Sequence, residues 1–302
     1  MITIEPKDAL ETAIRDVKLP KTDSHKGQNG RLLIISGSSL FHAPAIWSAQ
    51  IASHFVDLVH FCPSDENIAV VNKLKSSFTN GIVISQKDMP DYANEDDCIL
   101  FGPGMMRSES KNNVIDLNWD QILKLADPGL YAKALTFYLL KNYPDKKMVV
   151  DAGGLQMLDP DWLLLNKQQP IITPQTVEFK RIFGVDLSNA DDNVRKTTVK
   201  LKAQKYHCII VLKAVKDYIS DGTHTVVISG GNQGLTKGGT GDILASLIAS
   251  FYCKSPSLTS CIIASSILKS TADQLAKKNG IFYNIENIIN KIPEVAYLLL
   301  KK

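Results

Sequence analysis

One pattern recurs along this chain and limits what it can fold into: a short apolar run, a turn marked by glycine or proline, then an amphipathic stretch. Arg31–Ser36 leads through Gly37-Ser38-Ser39 into a helical pattern over about residues 43–55. Residues 58–61 form a second strand candidate, followed by a helix expected over 65–75 that opens with acids. Cys98–Phe101 runs into Gly102-Pro103-Gly104, Lys147–Val150 into Asp151-Ala152-Gly153-Gly154, and 170–172 into Thr173-Pro174. Residues 208–212 precede two hairpin strands, Asp217–Ser220 and 225–228, around Asp221-Gly222. From Gly241 onward the pattern is nearly all helical.

Strands alternating with helices mean βαβ units and a mainly parallel sheet covered on both faces. The expectation is one α/β domain over residues 1–302, a three-layer αβα sandwich. In open parallel sheets, ligands bind beyond the carboxyl ends of the strands. Four strand ends here carry glycine, proline or a carboxylate, and they should converge on one crevice.

Composition narrows the function classes. The 302 residues are 44% hydrophobic and 22% charged, which excludes disorder and low complexity, and 34 basic against 31 acidic residues leave a net charge of only +3. Basic residues are scattered, so no nucleic-acid partner is expected. The five cysteines (Cys62, Cys98, Cys208, Cys253, Cys261) are an odd count without a CxxC pair, which argues against a disulfide framework and a zinc site. Glu5, Lys7 and Asp8 precede any apolar run, and the longest apolar stretch, 243–253, is too short for a bilayer. The reading is a reduced, cytoplasmic protein without membrane segments.

The chemistry concentrates in the segment from Gly230 to Asp242, Gly230-Gly231-Asn232-Gln233-Gly234-Leu235-Thr236-Lys237-Gly238-Gly239-Thr240-Gly241-Asp242, which runs into an apolar helix over 243–251. Glycines let the backbone approach an anion and take positive φ. The helix that follows points free N–H groups and the positive end of its dipole at the same spot. Gly238, Gly239, Thr240, Gly241 and Asn232 are therefore candidate anion- and nucleotide-binding residues. Asp242, in the first helical turn, suits a general base that takes a proton from a hydroxyl attacking phosphate. The blander alternative is a plain turn followed by an ordinary N-terminal helix acid. No GxxxxGK[ST] loop occurs, and no GxGxxG follows a strand.

The GGTGD-then-helix ending resembles the ribokinase-like superfamily. Five further segments are similar to the nicotinamide-nucleotide hydrate dehydratases, the ADP- or ATP-dependent repair enzymes. They are His25-Lys26-Gly27 with Gly30-Arg31, Ala43-Pro44, Gly102-Pro103-Gly104-Met105, Asp151-Ala152-Gly153-Gly154-Leu155, and Thr173-Pro174 with Glu178-Phe179, in order from about residue 25 to 295. The resemblance implies a ribokinase-like fold and the dehydration of (S)-NADH or NADPH hydrate through a phosphorylated hydroxyl. It makes Asp242 the base, also in contact with the substrate, with the backbone of Gly239, Thr240 and Gly241 holding the phosphoryl group. Ala43, Gly102, Gly104 and Gln175 would line the hydrate pocket. Lys213, Ala214, Val215, Lys216 and Asp217 would contact the adenine nucleotide. Glu178 matches a carboxylate placed near magnesium, so ADP or ATP and Mg2+ are the implied co-substrate and cation. The family's epimerase domain is not expected in these residues, and a homo-oligomer is common among such proteins.

The chain departs from that pattern in the acceptor half. Gln175 stands where the family has a histidine, Phe41-His42 precedes Ala43 where a glycine is usual, 53–57 is bulkier, and 265–269 lacks a histidine. A small-molecule hydroxyl kinase of the same fold is therefore the alternative enzyme, and a nucleotide-binding protein without turnover a third reading. Asp151 also suits the capping of a strand-end turn, Glu178 an early helix acid, and Lys213 a snorkelling strand end. His25 and Lys26 read as solvated surface. His42, His54, His60, His207 and His224 lack metal spacing.

Overall fold

The computed structural model describes residues 2–64, 79–110 and 112–301; the helix expected over 65–75 lies outside them. A ten-stranded sheet runs in the order β1-β10-β9-β8-β7-β6-β5-β2-β3-β4. In chain order the strands are β1 (Thr3–Glu5), β2 (Arg31–Ser36), β3 (Leu58–Pro63), β4 (Ile82–Val83), β5 (Cys98–Phe101), β6 (Lys147–Val150), β7 (Ile171–Ile172), β8 (Ile209–Leu212), β9 (Asp217–Ser220) and β10 (Thr225–Ser229). From β4 across to β8 every pairing is parallel, and β9, β10 and β1 close that edge antiparallel.

Alternation along the strands divides the core. Leu32, Ile34, Cys98 and Leu100 face one layer, formed by α2 (Ala43–Ala52), α9 (Thr240–Tyr252), α10 (Ser257–Asn279) and α11 (Ile285–Leu300), with α1 (Ala9–Asp16) at its margin. Leu33, Ile35, Ile99 and Phe101 face the other layer, which holds α3 (Met89–Glu95), α5 (Pro128–Asn142), α7 (Thr176–Phe183) and α8 (Asp192–Lys205). Two further helices, α4 (Trp119–Ile122) and α6 (Ala152–Gln156), are short. Both faces of the sheet are covered, so its strands read as continuous apolar runs.

The chain leaves β2 toward β3 on one side and later returns to β5 on the other. This reversal opens a crevice beyond the carboxyl ends of β2 and β5. The local backbone shapes it. Gly37 N–H and Ser36 Oγ both donate to Pro103 O, at 2.8 and 2.6 Å, tying the two strand ends together. Gly102 has φ +109°, and a Cβ there would fall 1.9 Å from Asp151 O, so only glycine lets β5 and β6 approach this closely.

Candidate active site

The loop before α9 is set by packing. Asn232 donates to Ala272 O at 2.9 Å and accepts from Gly234 N–H and from Tyr283 Oη, at 2.9 and 2.8 Å. Thr240 Oγ1 donates back to Leu235 O at 2.8 Å. Gly239, the N-cap, has φ +102°, and a Cβ on it would fall 2.5 Å from the ring of Trp47. With no side chain capping this end, the first-turn N–H groups and the positive end of the dipole are left for an incoming anion.

Behind the first turn lies a charged cluster. Lys213, at the end of β8, donates to Asp151 Oδ1 at 2.7 Å, and Thr173 Oγ1 donates to the same oxygen at 2.8 Å. Gly241 closes over the pair, since a Cβ there would lie 3.1 Å from Lys213 Nζ and 3.9 Å from Asp151 Oδ2. Burial alone would push the Lys213 ammonium down, but attraction from Asp151, Glu178 and Asp242 outweighs it and holds the group above its ordinary range. Among the described residues none donates a hydrogen bond to the Asp242 carboxylate. Burial, reinforced by Asp151 and Glu178 and opposed by Lys213, pushes that carboxyl up to about 7. Asp242 thus has the proton affinity of a base working near neutrality.

Two cavities meet at this turn. One of about 770 Å³ is lined by residues including Phe41, Ala43, Trp47, Gly104, Met105, Arg107, Ala152, Gln156, Gly238, Gly239 and Asp242. The other, about 260 Å³, is lined by residues including Gln175, Lys213, Ala214, Asp217, Leu235, Thr240, Gly241 and Lys269. Asp242 therefore lines the larger cavity while Thr240 and Gly241, on the same helical turn, line the smaller one.

The sequence-predicted residues distribute unevenly over this geometry. Ala43, Gly104, Gly238, Gly239 and Asp242 share the larger cavity, and Lys213, Ala214, Asp217, Thr240 and Gly241 the smaller. Gln175, expected on the hydrate side, lines the smaller cavity because its backbone continues the β7–β8 pairing by bridging to Lys213. Gly102 sits beneath Asp151 and does not line the larger cavity. Asn232 is committed to holding its loop. Val215 is 89% exposed, and Lys216 pairs with Asp192 on α8, so neither lines the smaller cavity. Asp217 is buried against Ser265 and Lys269, and burial pushes its carboxyl up despite both partners.

Glu178 accepts from Gln175 N–H at 2.8 Å, closing a capping box on α7. Burial raises its carboxyl against the pull of Lys213. Among the described residues no group of three or more His, Cys, Asp or Glu side chains is arranged to hold a metal. Lys213 already neutralises this carboxylate cluster. On their own these residues do not fit a resident magnesium site.

Sequence reasoning missed Trp47, Gln156, Arg107 and Lys269. Arg107 lies three residues past Gly104, close enough to that strand-end turn to have been suspected. Trp47 and Gln156 sit one turn into their helices, and Lys269 comes from a distant helix.

The sequence model of the NAD(P)H-hydrate dehydratase family matches residues 32–294. A bifunctional NAD(P)H-hydrate repair enzyme of Methanocaldococcus jannaschii is 31% identical, over 91% of this chain and 49% of the relative. An ADP-dependent (S)-NAD(P)H-hydrate dehydratase of Nitrosopumilus maritimus is 25% identical over 96% of both chains. The chain thus spans about half the length of the bifunctional relatives it matches. Among solved structures, an ADP/ATP-dependent NAD(P)H-hydrate dehydratase of Bacillus subtilis, co-crystallised with ATP and Mg2+, superposes with a TM-score of 0.76 at 19% identity, covering 96% of this chain and 97% of that one. A ribokinase-like superfamily protein of Enterococcus faecalis gives 0.78 at 17% identity, covering 97% and 95%. The fold is ribokinase-like.

Proposed function

We propose that this chain, which belongs to the NAD(P)H-hydrate dehydratase family, converts (S)-NADH or NADPH hydrate back to the reduced dinucleotide at the expense of ADP or ATP. One observation carries the reading. Asp242 lines the larger cavity while Thr240 and Gly241, on the same helical turn, line the smaller. A hydroxyl acceptor in the first and a nucleotide in the second would meet at that turn.

Asp242 takes the proton of the C6 hydroxyl, whose oxygen attacks the terminal phosphorus of the nucleotide. The bond to the nucleotide breaks, releasing AMP from ADP or ADP from ATP. The ring nitrogen's lone pair then expels phosphate with the C6–O bond, and loss of a proton from C5 restores the ring double bond. The first-turn N–H groups and the Lys213 ammonium stabilise charge on the transferring phosphoryl group. Magnesium enters as the counter-ion of the nucleotide phosphates.

No helix among the described residues is long and apolar enough to cross a membrane. All five cysteines are buried and none is joined in a disulfide among the described residues, which supports a reducing, cytoplasmic setting. The test is recovery of reduced-nicotinamide absorbance from hydrated NADH and NADPH, with ADP and ATP in separate arms. Recovery in either nucleotide arm is expected. No recovery in any arm, with nucleotide still bound, would refute the reading.

A further inference from the structure

The larger cavity poses a charge problem that the reaction leaves unsolved. A nicotinamide dinucleotide carries its negative charge on phosphates, yet the walls are mainly apolar and the group at the reacting end, Asp242, is an acid. Among the described residues, Arg107 is the only lysine or arginine that lines this cavity.

Its backbone is firmly seated. A Cβ on Gly129, in the first turn of α5, would fall 2.2 Å from Arg107 C and 2.1 Å from Ser108 N, so the loop rests directly on that helix end. Ser108 Oγ donates to Asp127 Oδ2 at 2.9 Å, while Asp127 Oδ1 accepts from Gly129 and Leu130 N–H at 2.8 and 2.9 Å. Ser108 N–H donates to Met157 Sδ at 3.4 Å. The side chain, by contrast, is 60% exposed, and its ion-pair neighbour Glu109 is 3.8 Å away and 83% exposed. Such a surface pair holds an arginine weakly. The result is a fixed backbone that presents a weakly held guanidinium to a mainly apolar cavity.

We propose that Arg107 is the phosphate anchor for the dinucleotide, gripping phosphate oxygens bidentately while the hydrated ring lies against Asp242. This rests on the hydrate reading above and adds the residue that sets affinity for the acceptor. The anchored group is a phosphoryl oxygen pair, either of the pyrophosphate common to both hydrates or of the 2′-phosphate found only on NADPH hydrate.

The experiment is steady-state kinetics of wild type, Arg107→Ala and Arg107→Lys with NADH hydrate and NADPH hydrate in parallel. Loss of the guanidinium should raise KM for hydrate roughly ten- to a hundredfold with kcat at saturation changed far less, and lysine should restore part of the loss. A rise in both arms assigns the pyrophosphate, and a rise with NADPH hydrate alone assigns the 2′-phosphate. Unchanged KM in both arms, or an equal rise in KM for ADP or ATP, would overturn the proposal. Equilibrium titration with NADH and NADPH reads the anchor without turnover. If wild type binds them without dehydrating hydrate, the reaction reading fails while Arg107 is still tested. If Arg107→Ala does not fold, the lysine variant carries both measurements.

Discussion

Asp242→Asn should do two opposite things at once. The carboxyl lies at about 7 against an ordinary 3.8, so burial of its anion costs roughly 4 kcal/mol above neutrality. The sign follows from proton binding. Between about pH 4 and 7 the folded chain holds a proton that the unfolded chain has released, so stability falls as pH rises through that window and levels off above it. Asparagine keeps the shape of the neutral acid without the charge. Its thermal midpoint should therefore exceed wild type by several degrees at pH 8, and by much less at pH 5, where the cost is only roughly 1.5 kcal/mol. Meanwhile loss of the base should lower kcat about 10²- to 10⁴-fold. Wild-type activity should itself fall about tenfold per pH unit below 7, because only the anion accepts a proton. Calorimetry across pH and the nicotinamide-absorbance assay read the two effects separately. A variant rate within about tenfold of wild type, or a midpoint gain that does not grow with pH, would refute the reasoning.

Further outcomes follow from the same turn. Gly241→Ala places a methyl 3.1 Å from Lys213 Nζ, inside the proposed phosphate cradle, and kcat/KM for the nucleotide should drop roughly a hundredfold. An unchanged value would remove the Gly241 backbone from phosphate binding. Lys213→Met leaves Asp151, Glu178 and Asp242 without their cation. The acid limb of the rate profile should then move above about 7, and urea unfolding should show a loss of roughly 3 kcal/mol. An unmoved limb would mean that Lys213 does not govern Asp242.

Much of the scaffold was legible because the parallel strands are buried on both faces and end in turns that only a few residue types permit. Arg31–Ser36, Cys98–Phe101 and Lys147–Val150 are apolar runs closed by glycine or aspartate, and they form strands with those bounds. The edge strands β1 and β4 escaped notice. They span only Thr3–Glu5 and Ile82–Val83, are partly exposed, and are defined by pairing with distant segments.

The site was legible where one local segment carries it, as in Gly238 to Asp242. It was not where pairing across the sheet decides. Asp151 and Lys213 each drew attention alone, but nothing local says that a lysine 62 residues on will neutralise that aspartate. The side of the turn on which Gln175 falls depends on its bridge to Lys213. Arg107 is an ordinary surface arginine until Gly129, and Asp127 through Ser108, seat its loop beside a mainly apolar cavity.

The central claim is that the hydrate's own hydroxyl oxygen is phosphorylated before it leaves. It is tested by carrying out the reaction on hydrate labelled with ¹⁸O at C6, in unlabelled water, with ADP or ATP. The account predicts that the label appears in inorganic phosphate. Label recovered in water, with unlabelled phosphate, would mean that nucleotide hydrolysis and dehydration are separate events and would contradict it.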